Sequence, residues 1–313
     1  MTRFPFYLFH AGWTHLAIFL QTLLCHLDPQ PIRLRVREYF RQGARLRARR
    51  WEGEQDYPVY VINRTKDVER MSRFEASCRK WGINYARVEG IDLRQSREIL
   101  QNYRERIAIT CYNKTEFVRG IYGCFLGHRE AWKTLVESNS DWALICEDDA
   151  RFLGPIPKMI EQFRLPDTAE FVFCNQRMVD GHLPQSSSHK NLEFDFLTAD
   201  DALKCLLDFT PHIVAPGGDA YLLSKMGARK LLTIFDESQM SFDVDWFMLF
   251  HIISNESMRL FLQTDQTGRF TGYEPHKNRL EAFVLQPSLV DQAEGESKVR
   301  RMEFCSRDEL FLH

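Results

Sequence analysis

Three consecutive acids, Glu147-Asp148-Asp149, directly follow the apolar run DWALIC. Adjacent carboxylates repel one another unless a cation or solvent relieves them. A hard divalent ion with oxygen ligands is the natural partner, and such an ion commonly leaves positions open for substrate phosphates. The same triplet also reads as a solvated acidic turn. A second acidic pair, Asp243 and Asp245, precedes the apolar run WFMLFHII. On the residues alone this pair reads as helix capping, since an acid before the first turn satisfies orphan N–H groups without any chemistry. Eight cysteines, at 25, 78, 111, 124, 146, 174, 205 and 305, include no CxxC pair, which excludes zinc-ribbon and thioredoxin-like sites. Cys78, Cys124, Cys146 and Cys174 lie inside apolar patterns, where a free thiol acts as a small hydrophobe, and this favours a reducing compartment. Three Asn-x-Ser/Thr triplets, at Asn63, Asn113 and Asn255, argue weakly the other way.

These groups need elements to hold them. PVYVI at 58–62 is a buried strand by its β-branched apolar run. Val68, Met71, Phe74, Cys78 and Trp81 then recur at spacings of three and four, an amphipathic helix closed at Gly82. NYARVEG is a second strand, a helix spans about Ile121 to Val136, and DWALIC is a strand ending at the acidic triplet. EFVFC and GGDAYLLS add further strands, with Ser224 as N-cap of the helix KMGARKLLTIF. Strands alternating with helices predict an α/β sandwich around a mostly parallel central sheet. Ligands of such sheets bind beyond the carboxyl ends of the strands, where Asn63, Gly90 and the triplet should emerge.

The chain has 313 residues, of which 44% are hydrophobic, 13% aromatic and 27% charged. At about 100–200 residues per domain this is one large domain or two modest ones, and the composition excludes disorder over most of the length. The net charge of −2 conceals an asymmetry: residues 1–50 carry nine Arg against Asp28 and Glu38, net +7, leaving −9 for the remainder. The body is therefore no nucleic-acid binder by charge. An uncharged stretch between Arg3 and Asp28 precedes the Arg-rich tract Arg33–Arg50. It is long enough to cross a bilayer, but three His, Gln21, Pro5 and Gly12 dilute it, and no signal-peptide cleavage pattern follows. The pattern favours a peripheral membrane-docking helix whose arginines meet anionic headgroups. A true span and a helix packed on the body are the alternatives. The expected division is a docking segment 1–56, a domain 57–292 and a tail 293–313.

The ordered set VINRTKDVER, VEGID, YGCFLGHREAW, ALICEDDA, GGDAYLLSKMGARKLL, DVDWFM and VLQPSLVDQ resembles glycosyltransferase family 25. That family holds bacterial lipooligosaccharide galactosyltransferases and collagen galactosyltransferases, and the likeness covers about residues 58–292. Arg64 stands after Asn63 where the family usually has Leu, and Gly127 replaces the Ser of its usual Gly-Cys-x-x-Ser-His. The resemblance implies a GT-A-like nucleotide-sugar fold, a divalent ion, usually manganese, and inversion at the anomeric carbon. It implies Asp149 as the main metal ligand, with Glu147 or Asp148 contacting metal-bound water or the ribose. Asn63, Arg64, Arg70 and Asp92 would bind the nucleotide, although Arg70 also reads as an exposed helix-face charge. His128 would face the diphosphate or sugar, or else be a satisfied core histidine. Gly218 and Asp219 would also bind the donor, with Gly217-Gly218 letting backbone approach the sugar or only making the turn. Inversion needs a base for the acceptor hydroxyl, and Asp245 matches the family's Asp-Trp, with Asp243 in reserve.

The resulting expectation is a metal-dependent glycosyltransferase at the cytoplasmic, inner face of a membrane. It would move galactose from UDP-galactose to a glycan or lipid-linked glycan acceptor in lipopolysaccharide or related cell-surface glycan synthesis. A metal-dependent phosphohydrolase and a non-catalytic nucleotide-sugar-binding protein are the competing classes. The C-terminal Glu-Leu-Phe-Leu-His is no lumenal retention signal, which disfavours a lumenal collagen-modifying enzyme.

Overall fold

The computed structural model describes residues 46–47, 57–93, 98–99, 110–111, 115–154, 165–175, 195–203, 217–237, 244–264, 280–286, 288–292 and 304–305. The apolar stretch of the docking segment, nearly all of its Arg-rich tract, Asp243, the Ser-rich loop at 185–190 and most of the tail lie outside these residues. Among the described residues no helix is long and apolar enough to cross a membrane.

The strands in chain order are β1 (Leu46–Arg47), β2 (Val59–Asn63), β3 (Ala86–Glu89), β4 (Thr110–Cys111), β5 (Trp142–Glu147), β6 (Ala150–Phe152), β7 (Phe171–Phe173), β8 (Asp195–Thr198), β9 (Ala220–Ser224), β10 (Ala282–Gln286), β11 (Val290–Gln292) and β12 (Phe304–Cys305). The principal helices are α1 (Val68–Trp81), α2 (Thr115–Glu137), α3 (Lys225–Glu237), α4 (Val244–Ile252) and α5 (Asn255–Thr264). Eight strands form one sheet in the order β1-β8-β10-β7-β9-β5-β2-β3, and β11-β6 and β12-β4 are small separate pairs.

The α/β class expected from the alternating pattern is what folds, and its sheet is mixed. Strands β3, β2 and β5 run parallel, as do β7 and β10. Strand β9 lies antiparallel to both β5 and β7, and β8 is antiparallel to β10 and β1. Strands β1, β10, β7, β5, β2 and β3 therefore run in one direction, as a mostly parallel sheet requires, and β9 and β8 run against them. A short apolar run signals burial on both faces but carries no mark of strand direction.

Alternate residues of each central strand point to opposite faces. Tyr60, Ile62, Ala143, Ile145, Tyr221 and Leu223 join a core with α2, α3 and α4, while Val59, Val61, Leu144, Cys146, Ala220 and Leu222 pack with α1. The sheet is covered on both sides, as a sandwich requires. Helix α1 buries Met71, Phe74 and Cys78; Val68, the first residue of the expected stripe, is exposed instead. Gly82 ends α1 at φ 65°, and Ile83 N–H bonds the Cys78 carbonyl at 3.0 Å. Ser224 caps α3 as expected, its Oγ accepting Gly227 N–H at 2.9 Å.

Helix α2 comes hard against the ends of β2 and β3 because it presents two glycines one turn apart. A Cβ on Gly123 would run into the Ile91 carbonyl oxygen, and one on Gly127 would lie 2.8 Å from Ile62 Cγ2. This close approach brings His128, the residue after Gly127, beside the end of β5. Helix α4, apolar around its whole circumference, is buried apart from Asp245.

Candidate functional site

Asn63 closes β2 and Glu147 closes the parallel neighbour β5, so the acidic triplet emerges beside Asn63. Asn63 Nδ2 donates to Asp148 Oδ2 at 2.7 Å and lies 3.3 Å from the Asp67 carbonyl. Arg70, in the first turn of α1, places its Nη2 against Asp148 Oδ1 and 3.2 Å from Asp149 Oδ2. The charge relief that the triplet demanded therefore comes from a guanidinium. Burial lowers the pKa of Arg70, yet Asp149, Asp148 and Glu147 together outweigh it and raise the group above its ordinary value. Burial holds the Asp148 carboxyl above the usual range, against the opposing pull of Arg70 and Asn63.

His128 is fully buried on α2. Its Nδ1 lies 2.8 Å from Tyr221 Oη, and its Nε2 lies 3.4 Å from Glu147 Oε1. Tyr221 Oη also accepts Trp132 Nε1–H at 2.9 Å. Burial pushes the Tyr221 phenol far above its ordinary range, so it keeps its proton. Cys124, one helical turn before His128, is half-buried, unlike the fully enclosed Cys78, Cys146 and Cys174. The ligating atoms of Cys124, His128 and Glu147 all lie within 4.8 Å of one another.

The other wall comes from the turn into β9 and from α4. Gly218 N–H bonds Asp245 Oδ1 at 2.6 Å, so Asp245, in the first turn of α4, ties that helix to the turn before β9. A Cβ on Gly218 would stand 2.8 Å from Asp245 Oδ1 and 3.1 Å from His128 Cε1, so the turn presents bare backbone between the acid and the imidazole. Asp219, buried beside it, accepts Asn175 Nδ2–H at 3.3 Å, and Asn175 also bonds the Gly217 carbonyl.

The structure thus brings Asn63, Arg70, His128, Glu147, Asp148, Asp149, Gly218, Asp219 and Asp245 to one end of the sheet. Arg64 and Asp92 lie at the neighbouring β2–β3 edge. Arg64 pairs with Asp67 at 2.5 Å and reaches Asp92 at 3.8 Å, and Asp92 is also bound by Lys66. Gly127 meets Ile62 and the backbone of Gly90, so its missing hydroxyl is replaced by helix–strand contact. Sequence reasoning does not single out Asn175, Tyr221, Trp132 or Cys124 as site residues. Only Cys124 leaves a usable trace, the Cys-x-x-x-His spacing that puts both residues on one helix face.

Among the described residues the ligating atoms of Cys124, His128 and Glu147 converge, and the acidic triplet offers a second set by its chemistry. The carboxylate oxygens of Asp149 and its neighbours are the type that suits a hard divalent ion such as manganese, and Arg70, whose side chain is 41% exposed, now supplies positive charge there. The Cys124–His128–Glu147 group has thiol, imidazole and carboxylate, a set suited to softer ions. The carboxylate set fits the hard ion and the thiol-containing set does not.

A family model described as glycosyltransferase family 25 (LPS biosynthesis protein) matches residues 56–248. The "Probable inactive glycosyltransferase 25 family member 3" of Bos taurus is 24% identical over 192 residues, 56% of this chain and 28% of that protein. "Procollagen galactosyltransferase 2" of Homo sapiens is 29% identical over 103 residues, 30% of this chain and 16% of that protein. The "Glycosyltransferase 25 family member" of Aedes aegypti is 26% identical over 182 residues, 56% of this chain and 27% of that protein. The matched part of this chain thus spans less than a third of the length of these relatives.

Proposed function

Because the chain belongs to glycosyltransferase family 25, we propose that it transfers galactose from UDP-galactose to a glycan acceptor of lipopolysaccharide or a related cell-surface glycan, with inversion at the anomeric carbon. The observation that carries this reading is the meeting of Asp245, His128, the bare Gly218 turn and the acidic triplet at the carboxyl ends of β2 and β5. The galactosyl choice leans on the name of the human relative. A GT-A-like arrangement and an inner-leaflet location, with the basic N-terminal segment on anionic lipid, belong to the same reading.

Direct displacement with inversion requires the acceptor oxygen to lose its proton as it attacks, and a positioned carboxylate typically contributes 10²- to 10⁴-fold. Asp245 takes that role: Gly218 N–H fixes Oδ1, which orients the carboxylate toward the turn. Asn63, Arg64, Arg70 and Asp92 hold the nucleotide, and Gly218 admits the sugar against its backbone. Asp149, with Glu147 and Asp148, would hold a divalent ion, Mn2+ by charge type and family habit, which when bound offsets charge on the leaving diphosphate. Asp243 would serve as base only if Asp245 does not.

A donor screen tests this reading. UDP-galactose, UDP-glucose and the N-acetyl sugars are offered with manganese and a glycan acceptor, while transfer, hydrolysis and thermal stabilisation are followed. Transfer from UDP-galactose, abolished by EDTA, is the expected result. The name of the bovine relative favours a second reading, nucleotide-sugar binding without transfer. Stabilisation with no turnover would establish that reading in place of the first, and acceptor-independent release of phosphate would point to a phosphohydrolase.

A further inference from the structure

The Tyr221 hydroxyl is enclosed in the core between two nitrogens, Trp132 Nε1 at 2.9 Å and His128 Nδ1 at 2.8 Å. An indole N–H can only donate, so the phenol oxygen must accept from Trp132. The phenol's single proton then needs an acceptor, because a buried hydroxyl with an unmade bond carries its full desolvation penalty. His128 Nδ1 stands at hydrogen-bond distance to accept it. We propose that Tyr221 and Trp132 are positioning residues that hold the His128 ring with Nδ1 as acceptor and an N–H on Nε2 aimed at the corner where Glu147, Gly218 and Asp245 meet.

Both other protonation states fail the same count. A proton on Nδ1, alone or in an imidazolium, would put a second N–H on the phenol oxygen and leave the phenol proton without a partner. A metal ion on Nε2 is excluded with them, since it needs that nitrogen bare. With its proton on Nε2, His128 donates toward Glu147 Oε1 at 3.4 Å. It is equally placed to donate to an oxygen of a bound sugar nucleotide, and that last step rests on the transferase reading above. Ring contacts support the arrangement: the Tyr221 ring stacks on Phe171 at 4.7 Å and on His128 at 5.7 Å.

The tautomer is read directly by two-bond ¹H–¹⁵N correlation spectra of the full chain labelled at its ten histidines. The signals lost in His128→Gln identify the residue. The expected spectrum is that of the Nε2–H form; an Nδ1–H or doubly protonated ring in the wild-type protein would overturn the proposal, whatever the variants do. Tyr221→Phe keeps the stacked ring and removes only the hydroxyl. It should bring in a substantial Nδ1–H population and raise KM for the UDP-sugar several-fold with a smaller change in kcat. An unchanged Nε2–H spectrum in Tyr221→Phe would deny Tyr221 its role, and stoichiometric Zn2+ uptake that disappears in Cys124→Ser would replace the proposal with a metal site. A chain with the Nε2–H spectrum but no turnover of any UDP-sugar would remove the transferase reading and leave the tautomer assigned.

Discussion

At the scale of single residues, the guanidinium of Arg70 lies against Asp148 and Asp149 and lends the buried Asp148 a partner. Arg70→Gln removes that charge, and thermal melting should show a loss of about 1–3 kcal/mol, at the low end because the Arg70 side chain is 41% exposed. If a manganese ion and the guanidinium seek the same carboxylates, the variant should bind Mn2+ several-fold more tightly by calorimetry. Equal or weaker binding would separate the two sites. Asp245→Asn keeps the Oδ1 that accepts Gly218 N–H. Stability should therefore change by less than about 1 kcal/mol, while transfer falls by a factor of about 10² or more; near-normal turnover would end the case for Asp245 as base. The acids, Asn63, Arg70 and His128 were legible in the sequence because they stand at strand ends or in ordered motifs. Tyr221 and Trp132 were not, because a polar tip on a core aromatic is invisible until a partner 89 residues away is placed beside it.

At the scale of elements, α2 owes its position to Gly123 and Gly127. Gly123→Ala sets a methyl against a backbone carbonyl, and Gly127→Ala sets one against the short branch of Ile62. Overpacking of this kind costs about 1–3 kcal/mol, and Gly123→Ala should be the worse because backbone cannot turn aside. Gly120, on the same helix, has nothing within 4 Å of the place a Cβ would take. Gly120→Ala should accordingly stabilise by about 0.5–1 kcal/mol through helix propensity. Chemical denaturation of the three variants checks the order, and a Gly123→Ala protein as stable as the wild type would refute the close approach. Strand and helix positions were readable from β-branched runs and three-four spacing. The direction of β9 was not, because AYLLS reads as a buried strand in either sense and the chain leading into it decides which.

At the scale of the whole molecule, the charge asymmetry between residues 1–50 and the body yields a prediction about membranes. The full chain should sediment with anionic vesicles at low salt and release as ionic strength rises, since such attraction is screened over about 10 Å at 0.1 M. Salt-insensitive binding, or none, would remove the docking proposal. The sandwich as a class followed from alternating elements, whereas its edges did not: Leu46–Arg47, inside the Arg-rich tract, add a short edge strand against β8. The placement of β9 between β5 and β7 also has a meaning for synthesis on the ribosome. Strands β5 and β7 emerge well before residue 220, so the nascent chain holds two apolar strands whose facing edges await a segment still to be translated. Unpaired edges of this kind are where partly made chains stick to one another, and pairings so distant in sequence close slowly. The yield of folded protein should therefore depend on how quickly translation passes from β7 to β9, and on chaperones that occupy those two edges in the interval.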